Sequence, residues 1–125
     1  MTPSAHRQLV SFAVDGVLVE GTLALPMSPS GIVLFAHGSS SSRHSPRNNA
    51  VASELRKAGL GTLLMDLLSE GENHDTAVRF DILKLSRRLG AAADWLANNP
   101  ATRLLPMGLF GASTGAAAAL VFAAE

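Results

Sequence analysis

The five residues Gly111-Ala112-Ser113-Thr114-Gly115 constrain this chain more than any other stretch. They stand between an apolar run ending at Phe110 and an Ala-rich segment of helical composition, so the implied order is strand, sharp turn, helix. The spacing has a steric cause. A Ser at the tip of a strand-to-helix corner sits in strained backbone, and the residues two positions either side must be small for strand and helix to approach each other. Gly111 and Gly115 meet that demand, and Ala112 adds little bulk. Such a corner presents a nucleophilic hydroxyl, although a tight turn with no chemistry can have the same composition. Its weight therefore depends on the elements around it.

Composition narrows those elements. With 125 residues, 47% hydrophobic and 16% charged, the chain is one domain (1–125) or part of one, with a buried α/β core. Ten basic residues balance ten acidic ones, which favours neither nucleic acid nor an anionic membrane as partner. The absence of Cys removes disulfides, thiolate metal sites and thiol catalysis together and fits a reducing compartment, so a cytoplasmic location is expected. Residues 1–30 show no basic start followed by a long apolar run, hence no visible signal peptide. Leu104 to Ala124 is uncharged over 21 residues and contains a small-xxx-small spacing, but Pro106, Gly108, Ser113 and Thr114 interrupt it and no Lys or Arg cluster flanks it. A strand followed by a corner and a helix accounts for it better than a membrane span.

Along the chain, Gln8–Val14 and Val17–Leu25 are β-prone runs separated by Asp15-Gly16, the residues of a two-residue hairpin turn. Gly31–Ala36 is a continuous apolar run, the mark of a strand covered on both faces, and it ends at His37-Gly38. After a Ser-rich loop, Ser45-Pro46 opens a helix with Val51, Leu55 and Ala58 on one face and Gly59 as its stop. Leu60–Met65 reads as a strand closed by Asp66, and Leu67–Thr76 as a polar loop. From Asp81 to Asn98 the apolar positions Ile82, Leu85, Leu89, Ala92 or Ala93, and Leu96 recur at helical steps. Leu104–Phe110 is the next strand and Thr114–Ala124 the helix after the corner. The expected architecture is α/β: a mostly parallel, doubly wound sheet begun by an antiparallel hairpin.

His37-Gly38 at a strand end and Gly111-x-Ser113-x-Gly115 about 75 residues later, each in its proper element, resemble the α/β-hydrolase family. The run His37-Gly38-Ser39-Ser40-Ser41-Ser42-Arg43-His44-Ser45-Pro46-Arg47-Asn48 resembles the loop after the third strand in the dienelactone-hydrolase-like branch. The likeness implies a partial α/β-hydrolase fold and a serine hydrolase that acts on a small ester or other acyl substrate through an acyl-enzyme. Ser113 would be the nucleophile, and the backbone N–H groups of Thr114 and Ser39 the oxyanion hole, with no metal or organic cofactor. Dienelactone hydrolases proper carry Cys where this chain has Ser113, which favours general acyl hydrolysis over lactone cleavage.

The family order of triad residues is Ser, then Asp or Glu, then His. Here His6, His37, His44 and His74 all precede Ser113, so the acid and base are expected beyond residue 125 and the chain is expected to be an N-terminal portion. The His37-Gly38 pair shapes the oxyanion loop in this family and does not supply the base.

Arg43, His44 and Arg47 are candidates for gripping a substrate carboxylate or phosphate, with a solvated loop as the plainer alternative. Asp66, at a strand's carboxyl end, is a candidate acid or a cap of the loop that follows it. Gly108, Gly111 and Gly115 only faintly echo a dinucleotide loop, which would need an acidic residue about 20 positions on. The competing class is a non-catalytic interaction module, or a half-domain completed by another chain. The family strand order would leave residues 104–110 on an open, apolar edge, where self-association is expected.

Overall fold

The computed structural model describes residues 6–36, 43–69, 71–72, 81–111 and 121–124. Among the described residues the elements follow in the order β1 (His6–Val14), β2 (Val17–Leu25), β3 (Gly31–Ala36), α1 (Pro46–Lys57), β4 (Leu60–Asp66), α2 (Ile82–Asn98) and β5 (Met107–Gly111). The strands form one sheet in the order β1-β2-β4-β3-β5. β1 pairs with β2, and β2 with β4, antiparallel, while β3 pairs in parallel with both β4 and β5. Only β2 therefore runs against the other four strands. This is the expected sheet, with the hairpin first and the parallel strands at its centre.

Local chemistry accounts for the boundaries. Asp15 and Gly16 both have positive φ, 53° and 76°, the conformation a two-residue hairpin turn demands and one that Asp and Gly tolerate. Ser45 caps α1 by accepting from the Asn48 N–H at 3.3 Å, and Pro46 at the first helical position lacks the N–H that would otherwise go unpaired. Asp81 caps α2 in the same way through the Lys84 N–H at 3.0 Å.

The last strand starts later than the apolar run suggests. The backbone after α2 is spent on turns: Arg103 N–H donates to the Asn99 carbonyl at 2.8 Å and Leu105 N–H to that of Thr102 at 3.0 Å. The Thr102 hydroxyl, buried, donates to the Leu96 carbonyl and closes the helix end. Pro106 has no N–H for a ladder, but its carbonyl accepts from Ile32 N–H at 2.9 Å, so pairing begins only from there. Leu104 is left 85% exposed. Of the expected helix 114–124, residues 121–124 are helical and the rest lies outside the described residues.

Alternation along the strands sorts the core onto two faces. On one face Val10, Val19, Leu23, Ile32, Leu34, Leu63 and Met65 pack under Leu85, Leu89, Ala92 and Leu96 of α2, joined by Leu109 and Phe122. On the other, Phe35 and Leu64 pack under Ala52, with Val51 and Leu55 beside them. Helices on opposite faces make the sheet doubly wound. The buried face of α1 centres on Ala52 and Asn48; Ala58, expected on it, is exposed because it is the C-cap and lies past the last turn. Where β2 meets β4, Gly21 stands opposite Met65, and a Cβ there would collide with the Met65 sulfur and come within 2.8 Å of the Leu64 carbonyl oxygen. The close approach of these two strands requires glycine.

Candidate active site

In sheets of this kind the chemistry sits at the carboxyl ends of the parallel strands, because the loops that leave there converge. Ala36 at the end of β3 is in register with Gly111 at the end of β5. β3 and β5 therefore end side by side, one residue before His37 and one before Ala112 in the sequence. Ser39 and Thr114 each come three residues after that register pair. Ser39, Ser113 and Thr114 themselves lie outside the described residues, as does His37. At this end of the sheet Phe110 packs on Phe35 with ring centroids 4.9 Å apart, which ties the end of β5 to its neighbour.

Asp66 and Arg43 meet at this edge. Asp66 Oδ1 accepts the backbone N–H of Arg43 at 2.7 Å, and its Oδ2 is bonded to the Arg43 guanidinium through Nη1. Arg43 Nη2 also lies 3.7 Å from Glu20 Oε2. Asp66 therefore holds the loop that precedes α1. Arg43 is paired inside the fold, where it opposes two carboxylates, and is not presented as a grip for an anion. The sequence shows neither partner because Asp66 and Glu20 each lie 23 positions from Arg43, one after it and one before it, on strands brought together only by the sheet. His44 and Arg47 are exposed beside this loop. Among the described residues no group of three or more His, Asp or Glu side chains is placed to hold a metal ion, and no helix is long and apolar enough to cross a membrane.

A second polar cluster also escapes sequence reasoning. Arg88, with no exposed side-chain surface, lies on the apolar face of α2. It donates to both oxygens of Glu72 at 2.5 and 2.7 Å, to Asp15 Oδ2 at 3.2 Å and to the Leu67 carbonyl at 3.0 Å. The hydrogen bonds from Arg88 hold the Glu72 carboxyl down at about 2, against the opposing effect of its burial, and the Ser69 N–H adds to the lowering. Burial alone would lower the Arg88 pKa, but the bonds to Glu72 and Asp15 outweigh it and raise it above its ordinary value. One cation thereby joins α2, the hairpin turn and the loop that leaves β4. The only sequence signal is an Arg set between Leu85 and Leu89 in an apolar stripe.

No family model matches the chain. It is 52% identical to a solved dienelactone hydrolase from Anabaena variabilis, with a TM-score of 0.91 over 98% of this chain and 58% of that one. An esterase from an Arctic intertidal metagenomic library shares the fold at 22% identity, with a TM-score of 0.75 over 100% of this chain and 58% of the esterase. A Mycobacterium tuberculosis protein named "Putative phosphoribosyl transferase" is 51% identical over 123 residues, which are 98% of this chain and 28% of that protein. The hairpin-led sheet and the likeness that runs through it define the class: this is the N-terminal portion of an α/β-hydrolase fold. Within that superfamily the chain is similar to a dienelactone hydrolase, at 52% identity. It spans 58% of the solved dienelactone hydrolase and 28% of the curated relative.

Proposed function

We propose that the chain carries the nucleophile and oxyanion hole of a serine acyl hydrolase. Ser113 attacks the carbonyl of an ester or related acyl substrate, and the negative charge that develops on the oxygen is met by the backbone N–H groups of Thr114 and Ser39. The observation that carries the reading is the parallel register of Ala36 with Gly111, which starts the two donor-bearing loops from adjacent points of one sheet edge. The triad's acid and His are supplied by sequence that follows this stretch in the natural protein, or by a partner chain. Small-molecule esters are the substrate class, with no organic cofactor required.

The phosphoribosyl transferase name belongs to a protein of which this chain matches 28%, and the fold matched here is that of hydrolases, so the name assigns no residue in this stretch.

The test is turnover of a p-nitrophenyl ester by the natural protein and its Ser113→Ala variant, together with residues 1–125 alone. The natural protein should lose turnover with Ser113→Ala, since loss of a triad member costs about 10⁴ to 10⁶ in rate. Residues 1–125 should be no faster than their own Ser113→Ala variant. Undiminished turnover by natural Ser113→Ala protein would refute the assignment; absence of turnover in the natural protein itself would favour the interaction-module reading.

A further inference from the structure

Among the described residues three arginines are drawn out of water, Arg43, Arg56 and Arg88. Arg43 and Arg88 each meet two carboxylates. Arg56, in the last turn of α1, meets none: its Nη1 donates to the hydroxyl of Thr62 at 3.0 Å, and Thr62 is itself buried. A cation withdrawn from water without a counter-charge is costly, and folds normally offset that cost by pairing it. The charge that acts on Arg56 has the same sign. Arg7 of β1 is the register partner of Ala24 in β2, and Ala24 is that of Thr62 in β4, so the three stand on one rung of the sheet. Residues directly opposite share a face, which places Arg7 on the face where Arg56 reaches Thr62, with the buried Ala24 between them. Burial lowers the Arg56 pKa below its ordinary value, and the charge of Arg7 lowers it further.

The helix end does not explain this placement. Ala58 N–H donates to the carbonyls of Glu54 and Leu55, and Gly59 N–H to that of Arg56, so the last carbonyls of α1 are met by the backbone. The single carboxylate of α1, Glu54, is taken by Lys57 at 3.2 Å. Arg7 is exposed, and among the described residues no carboxylate pairs with either guanidinium. Two positive charges thus share one face of the sheet with nothing to balance them.

We propose that Arg7 and Arg56 together bind a phosphate group, free or carried as the monoester of a small molecule. A dianion balances both guanidinium charges, and each guanidinium offers a fork of N–H donors that fits the oxygens of a phosphate. A carboxylate would leave one of the two charges uncompensated. The bound group ties β1, an edge strand whose only strand partner is β2, to the end of α1. Thr62 is in register with Val33, three rungs before Ala36 pairs with Met65, so the site lies toward the amino-terminal ends of β3 and β4. It does not rest on the assignment of Ser113.

The test is calorimetric titration of the natural protein with inorganic phosphate, at constant ionic strength so that screening stays fixed. One equivalent should bind with a Kd of about 1 mM or tighter, the scale of a few charge-assisted hydrogen bonds. Arg7→Gln, a substitution at an exposed position, should weaken binding about tenfold or more, and Arg56→Gln at least as much. Arg7→Lys keeps the charge but not the fork and should fall between the parent and Arg7→Gln. These two Arg7 variants decide the matter if Arg56→Gln does not fold. Acetate at the same concentration should not displace phosphate. Glycerol phosphate as a second titrant distinguishes the sources: tighter binding than inorganic phosphate marks a phosphorylated small molecule as the ligand, weaker binding marks free phosphate, and either supports the site. Three results would each overturn the proposal: no saturable binding up to about 10 mM phosphate, affinity unchanged in Arg7→Gln, or acetate bound as well as phosphate. Ser113→Ala should bind phosphate as the parent does, which keeps this outcome separate from that of the hydrolase assignment.

Discussion

Replacing Arg88 with Met keeps the length and much of the volume of the side chain while deleting its charge, and the structure sets the expected cost. The depression of the Glu72 carboxyl from 4.5 to about 2 corresponds to about 3 kcal/mol, at about 1.4 kcal/mol per unit. That figure is an upper bound, since the carboxylate keeps 16% of its side-chain surface in water, and screening reduces it to about 2 kcal/mol. The Leu67 carbonyl also loses its donor from Arg88, at about 1 to 3 kcal/mol for an acceptor left unpaired in a buried position. Met returns part of this by filling the apolar face of α2. The net expectation is a loss of about 2 to 4 kcal/mol at pH 7, measured by urea unfolding. The dependence on pH is the sharper criterion. Because Glu72 titrates lower in the folded state than in the unfolded one, its contribution is fully present above about 4.5 and is lost as the pH falls toward about 2. The difference in stability between parent and Arg88→Met should therefore shrink across that window. A cost below about 1 kcal/mol at pH 7, or a difference that stays constant down to pH 2.5, would refute the reasoning.

Three further outcomes follow from the packing. Gly21→Ala should destabilise the fold by about 1 to 3 kcal/mol, because its methyl group meets the Met65 sulfur and the Leu64 carbonyl where β2 and β4 pair; thermal unfolding checks this. Ser45→Ala should cost about 1 kcal/mol through loss of the α1 cap, visible as a lower urea midpoint at constant slope. Residues 1–125 alone should self-associate at micromolar concentration through the β5 edge, where Leu104, Met107 and Phe110 are exposed, and Met107→Lys should shift the population toward monomer in sedimentation velocity.

The elements legible in the sequence are those whose cause is local. The hairpin turn needs positive φ at two successive residues, and Asp15-Gly16 supplies it. The start of α1 is written as a capping side chain at Ser45 followed by Pro46 at the first helical position. β3 is a continuous apolar run because both of its faces are covered, and a nucleophile corner of the kind proposed at Ser113 requires small residues around it. These features were sufficient for the fold class, for the strand order that its family implies, and for the residues proposed to act.

Tertiary structure decided what depends on distant partners. Arg43 reads as a free cation in a Ser-rich loop, yet β2 and β4 bring Glu20 and Asp66 to it and turn it into an internal clamp. Arg88 reads as an interruption of an apolar stripe until the fold delivers Asp15, 73 residues earlier in the chain, and Glu72 to its two sides. The start of β5 was misplaced for the same kind of reason: Leu104 and Leu105 are apolar enough for a strand, but turns closing α2 hold the backbone until the Pro106 carbonyl meets Ile32. Hydrophobic pattern and turn chemistry act over a few residues and are written in order along the chain. Charge pairing and the first rung of a ladder depend on which segments become neighbours, and only the folded sheet settles that.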